Sequence, residues 1–226
     1  MDRNNDTKNI AVLGVREGIR KRPEMFIGSV SYEGLHNMVW ELIDNSVNEA
    51  LAGFCSNINV RLLKGGIIEV SDNGRGITVE KHETKKESIL EIILTGKYFR
   101  GELTDGIYKL SPKKYRGGLL SVNVLSETLE ISVIRDSKVW YQKYKKGIPE
   151  DNVKQTETAP AEVHGTVIKF LADREIFETL EYNYEIFQKE LKKIKGIEIH
   201  LSDERNIKEI KTDYFYFKGE IKEFLK

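Results

Sequence analysis

The chain has 226 residues, a mass of 26.0 kDa and a formal charge of zero, its 36 Lys and Arg cancelling 36 Asp and Glu. That is long enough for one generous domain (1–226) with a real core, and its 39% hydrophobic and 32% charged residues lie well short of a disordered composition. The charge balance disfavours a protein that works by coating nucleic acid, the single Cys55 excludes an internal disulfide and any cysteine-rich zinc module, and a polar start without long apolar runs points to a soluble, cytoplasmic protein with no membrane segment.

Residues 34–53 form the first strong periodic segment, with Leu35, Met38, Val39, Leu42, Ile43, Val47, Ala50 and Leu51 recurring at three- and four-residue steps. This is an amphipathic helix closed by Gly53. Two alternating runs, 58–62 and 67–72, joined through Lys64-Gly65-Gly66, read as a hairpin. Residues 88–94 are apolar and helical in character, whereas 95–118 is sprinkled with glycine and lysine and has no period, as expected of a functional lid. Strand-like runs follow at 128–135, 139–145 and 166–170, then a helix over 178–195 ending at Gly196, then a hairpin of 197–201 with 207–211. Strand runs separated by long helices suggest an α+β sandwich, with helices on one face of a mixed, mostly antiparallel sheet.

Three places carry residues suited to chemistry. On the first long helix Glu41, Asn45 and Asn48 sit at i, i+4 and i+7 beside Asp44, forming one polar stripe. Such a stripe is either a solvated face or a binding edge, and the poor helix propensity of mid-helix Asp and Asn weighs toward the second. Asp72-Asn73-Gly74-Arg75-Gly76 follows the second hairpin strand, and alternation puts Asp72 on the same face as Ile68 and Val70. A carboxylate on a buried face requires donors; an Asn-Gly turn capped by Asp72 is the plainer reading of the same residues. His164-Gly165-Thr166 opens a later strand, ordinarily no more than turn chemistry.

Taken in order, Glu41-Leu42-Ile43-Asp44-Asn45, Asp72-Asn73-Gly74-Arg75-Gly76, a loose glycine-containing loop and Gly165-Thr166 resemble the Bergerat-fold ATPases. Longer words, among them Arg20-Lys21-Arg22-Pro23-Glu24-Met25-Phe26-Ile27-Gly28-Ser29 and Asn48-Glu49-Ala50-Leu51-Ala52-Gly53, are similar to the ATPase subdomain of gyrase B and topoisomerase IV B chains, nearly end to end. The resemblance implies ATP and Mg²⁺ as cofactors. It makes Glu41 the general base for the attacking water and Asn45 the Mg²⁺ ligand. Asp72 becomes the acceptor for the adenine amino group, Gly76, Ile77 and Thr166 complete the base pocket, Val70 and Ile168 form its apolar wall, and Arg75 pairs with Glu49 at its rim. It further implies an ATP-dependent homodimer, an A-type topoisomerase subunit and DNA as partners of a full-length protein.

Two regions depart from that family. The lid (95–120) has Pro112-Lys113-Lys114-Tyr115-Arg116-Gly117-Gly118-Leu119-Leu120 where the family has a glycine-rich phosphate loop. A gap-free match keeps only Gly118, and a gapped one keeps Gly117 and Gly118 together. Lys113, Lys114 and Arg116 would then supply part of the positive potential that backbone amides supply elsewhere. The N-terminal arm (1–10) lacks the tyrosine typical of the family's dimer arm. The altered lid leaves a second reading open, a nucleotide-binding switch module with little or no hydrolysis.

Overall fold

A computed structural model of the protein describes residues 14–97 and 117–219. Two short helices, α1 (Val15–Lys21) and α2 (Glu24–Ile27), lead into the long α3 (Tyr32–Leu51), whose start is capped by Ser31 accepting the Glu33 amide. Next come β1 (Asn57–Leu63) and β2 (Ile67–Asp72), an antiparallel hairpin turned by Gly65 and Gly66, both in the left-handed region at φ 83° and 82°. Then follow α4 (Ile89–Thr95), α5 (Gly118–Val124), β3 (Ser126–Arg135), β4 (Lys138–Lys145), β5 (Ile148–Pro149), β6 (Lys154–Thr158), β7 (Gly165–Ala172), α6 (Tyr184–Leu191), β8 (Glu198–Glu204) and β9 (Lys211–Phe215).

All nine strands join one sheet, in the order β5-β4-β3-β7-β2-β1-β8-β9 with β6 also on β4. Neighbours are antiparallel except β1 and β8, which run parallel. The sheet is therefore mixed and mostly antiparallel, as the strand pattern suggests. Strand alternation sends Ile58, Val60 and Leu62 of β1 to one face and Asn59 and Arg61 to the other. On the helix-covered face the register builds apolar rows: Leu62, Ile68, Phe170 and Leu129, then Val60, Val70, Ile168 and Ile131. All eight are buried at 3% exposure or less, each contributing roughly 1.5–3 kcal/mol of burial. The third row is Ile58, Asp72, Thr166 and Val133, so a polar pair enters the core face at one end of the sheet.

The opposite face carries a ladder of alternating charge. Lys143, Glu130, Lys169, Glu69 and Arg61 face one another strand by strand, with Arg61 paired to Glu69 at 2.6 Å and to Glu204 at 2.7 Å. Opposite charges directly across strands are favourable, and such a surface resists covering by a second apolar layer. Helices accordingly occupy one face only: α3 packs on β2 and α5, α5 on β3, and α6 on β8.

Two expectations about elements need correction, and five elements escape the sequence reading. The helix read over 178–195 is only Tyr184–Leu191, capped by the Asn183 side chain accepting the Ile186 amide. Residues 178–183 are not helical, and distant segments claim two of their amides: Glu178 N–H donates to Val30 O, and Asn183 N–H donates to His36 Nε2 at 3.0 Å. Of the strand read over 207–211, residues 207–210 lie in a turn, with Asn206 Oδ1 accepting the Lys208 amide, and Lys211 begins the pairing strand Lys211–Phe215. Since β8 runs on to Glu204 and pairs Asp203 with Lys211, the connection has to lie at 205–210. Finally α1, α2, α5 and the short β5 and β6 carry no clear period in the sequence. The arm 1–10 and the lid residues Lys113, Lys114 and Arg116 fall outside the described residues.

Candidate nucleotide site

The site is organised along α3, a helix that presents Glu41, Asn45, Ser46 and Glu49 over two turns, about 12 Å of rise from Glu41 to Glu49. Glu41 and Asn45 are half-buried, whereas Asn48 points to solvent, so only part of the polar stripe faces inward. At its N-terminal end the Glu41 carboxylate accepts the Gly118 amide through Oε2 at 3.0 Å, which joins α3 to the first residue of α5. Gly118 has φ 52°, and a Cβ on Gly117 would fall 2.0 Å from Ser121 Oγ, so both lid glycines occupy backbone that side chains do not fit.

Ser46, the residue after Asn45, reaches the polar pair of the third core row. Asp72 Oδ2 accepts the Ser46 hydroxyl at 2.8 Å and Oδ1 accepts the Gly74 amide at 2.9 Å. Burial pushes the Asp72 carboxyl above its usual range, and these two donors only partly oppose that shift. Thr166, directly across from Asp72, accepts the Ile77 amide on Oγ1 at 3.4 Å. Val70 and Ile168, paired across the strands one row deeper, are apolar and 3% exposed each.

The loop after β2 is held by side chains from four directions. Asn73 Oδ1 accepts the amides of Ser56 and Asn57. Glu49 accepts the Arg75 amide at 3.2 Å, Nε at 3.1 Å and Nη2 at 2.9 Å, a fork that makes the pair directional despite its exposure. Burial raises the Glu49 carboxyl, but the Arg75 hydrogen bonds outweigh it and the net displacement is downward. The Arg75 guanidinium also lies 3.9 Å from the centre of the Phe54 ring. Arg135 Nη1 donates to Gly76 O at 3.1 Å, and His164 Nδ1 bonds Gly74 O at 2.6 Å. Gly76 has φ 77° and a Cβ there would sit 2.8 Å from Ile134 O, so this position requires glycine.

The structure thus brings the sequence-selected residues into contacting groups: Glu41 with Gly118, Glu49 with Arg75, Ile77 with Thr166, and Val70 with Ile168. Sequence reasoning missed Ser46, Asn73, Arg135 and His164 as contributors. Only Ser46 carried a usable signal, a hydroxyl at i+4 from Leu42 and i+3 from Ile43 on the apolar face of the helix.

The profile of the family described as histidine kinase-, DNA gyrase B- and HSP90-like ATPase matches residues 31–176, from the cap of α3 to just beyond β7. The chain belongs to this ATPase family. Its α+β sandwich is the family's Bergerat fold, and membership carries ATP binding with it. The chain is 46% identical over 221 residues to the DNA gyrase B protein of Borreliella burgdorferi, covering 96% of this chain and 34% of that protein. The corresponding protein of Archaeoglobus fulgidus is 44% identical over 220 residues, 95% of this chain and 34% of its own length. That of Staphylococcus aureus is 43% identical over 221 residues, again 96% of this chain and 34% of the relative. The chain therefore spans about a third of the length of these curated relatives. Among the described residues no helix is long and apolar enough to cross a membrane.

Proposed function

We propose that this chain is the ATP-hydrolysing part of a type II topoisomerase of the gyrase B kind, and that the site along α3 is where the nucleotide binds and reacts. The observation that carries this reading is the third core row. A half-buried acidic residue at the end of an apolar floor, with Ser46 and Gly74 fixing its two oxygens, offers a preset acceptor for an exocyclic amine beside a surface for a flat base.

In this reading Asp72 accepts the adenine amino group, Val70 and Ile168 floor the base, Thr166, Gly76 and Ile77 shape its far side, and Glu49 with Arg75 closes the rim. Glu41 takes a proton from the attacking water as its oxygen bonds to the γ-phosphorus and the bond to the β–γ bridging oxygen breaks, giving ADP and phosphate. The Gly118 amide fixes the orientation of the Glu41 carboxylate. Asn45, one turn from Glu41, fits a Mg²⁺ that takes one or two protein oxygens and fills its remaining positions with phosphate oxygens and water. The ion, when bound, neutralises charge developing on the phosphates.

The names of the relatives support placing this ATPase in a gyrase-type protein that works with an A-type partner and DNA, and a nucleotide-driven homodimer completes the reading. No feature among the described residues favours the alternative of a switch with little hydrolysis. Steady-state phosphate release at saturating Mg-ATP tests the reading: turnover that exceeds a Glu41→Ala control is expected, and tight ATP binding without any turnover contradicts it.

A further inference from the structure

The entry to β7 is set against the loop after β2, backbone on backbone. A Cβ on Gly165 would lie 2.0 Å from Asp72 O, so glycine is required for this approach. The residues flanking that glycine each reach across to the loop: Thr166 Oγ1 accepts the Ile77 amide at 3.4 Å, and the His164 ring meets Gly74 O at 2.6 Å through Nδ1. A carbonyl only accepts, so Nδ1 carries the proton in this contact. The contact spans 90 residues of sequence and grips the residue whose N–H donates to Asp72 Oδ1.

We propose that His164 is a positioning residue of the nucleotide pocket, its Nδ1–H holding the Gly74 carbonyl so that the loop keeps Asp72 oriented toward the base. With Thr166 it forms a two-point clamp on the loop, one residue on each side of the glycine that allows the approach. Ring and carbonyl are both on the chain's own elements, so the clamp is present before any ligand arrives. Its effect is preorganisation: the loop need not be ordered at the moment of binding. The inference rests on the reading of Asp72 as the adenine acceptor.

Two variants separate this role from a structural one. His164→Leu removes the donor, while His164→Asn keeps an N–H near the place of Nδ1. In nucleotide-free protein, the amides of Gly74 and Arg75 are expected to exchange hydrogen faster in H164L than in the parent, with exchange slowed again in H164N. ADP affinity by calorimetry is expected to fall about three- to tenfold in H164L and to recover in H164N, with the melting temperature nearly unchanged. Because His164 is exposed, all three proteins are expected to fold. An H164L protein with parental exchange, or with parental ADP affinity, overturns the inference while leaving the pocket reading intact. A parent that binds no ADP overturns the pocket reading and this inference with it, and faster exchange in H164L would then report only a loop contact.

Discussion

The two ends of the α3 site are built in opposite ways. At the end proposed for the base, Asp72 and the loop behind it are fixed by side chains from α3, β3 and the entry to β7, and by Asn73 reaching back to the start of β1. At the other end Glu41 meets the backbone amide of Gly118, the first residue of a seven-residue helix reached after residues 98–116. One end is set by side chains anchored on a long helix and a sheet; the other depends on a main-chain group next to residues 98–116. Binding and chemistry should therefore separate under mutation, with the base end governing affinity and the Glu41 end governing rate.

The largest effect is expected at Glu41. Replacing it with alanine should lower ATP turnover at least about a hundredfold while ADP affinity stays near the parent value, read by phosphate release and calorimetry side by side. A parallel loss of both would erase the contrast between the two ends.

Asp72→Asn comes next and should do the reverse, weakening ADP by about 1 to 3 kcal/mol because the amide presents a donor to the adenine amine. Stability should not fall with it. The Asp72 carboxyl is raised by burial, so the native state binds its proton more tightly than the unfolded chain and loses relative stability as pH climbs through the native value. Asparagine removes that cost and still bonds Ser46 and Gly74. A melting temperature at neutral pH equal to or above the parent is expected, and a marked drop would mean that Asp72 is chiefly structural.

At the rim the effect should be small. Arg75 is about half exposed, with its side chain at 54%, so its fork with Glu49 contributes no more than about 1 kcal/mol. Arg75→Ala should weaken ADP by less than about fivefold, and a larger loss would move the rim into the binding centre.

The smallest effect concerns His36, away from the site. Its Nδ1–H donates to Tyr32 O at 2.7 Å, Nε2 accepts Asn183 N–H, and the ring stacks on Phe187 at 4.9 Å. Burial holds its pKa below the ordinary value despite these backbone contacts. The neutral ring therefore adds stability above about pH 6.5, the unfolded value, and that contribution is lost as pH falls below it toward the native value. Melting temperature should decline between pH 7 and 5, and His36→Gln should flatten that slope.

These contrasts also explain what was legible in the sequence. The α3 helix and the β1–β2 hairpin announce themselves by period, and Asp72 stands out because alternation places a carboxylate on the core face. The start of α6 was illegible because His36, nearly 150 residues away, captures the amide of its cap residue Asn183, a contact that no local pattern encodes. The contacts of Asn73, Arg135 and His164 were illegible for a related reason, although Asn73 and His164 stand in motifs that the sequence singles out. Each acts on backbone groups of another segment, 16 to 90 residues away, and neither propensity nor period encodes such a partner.

A crystal structure with Mg²⁺ and a non-hydrolysable ATP analogue tests the central claim most directly. The adenine amine is expected within hydrogen-bond distance of Asp72, the ring on Val70 and Ile168, and the γ-phosphate next to Glu41 and Gly118. An analogue bound elsewhere, or with its phosphates toward Asp72 and its base toward Glu41, would contradict the account.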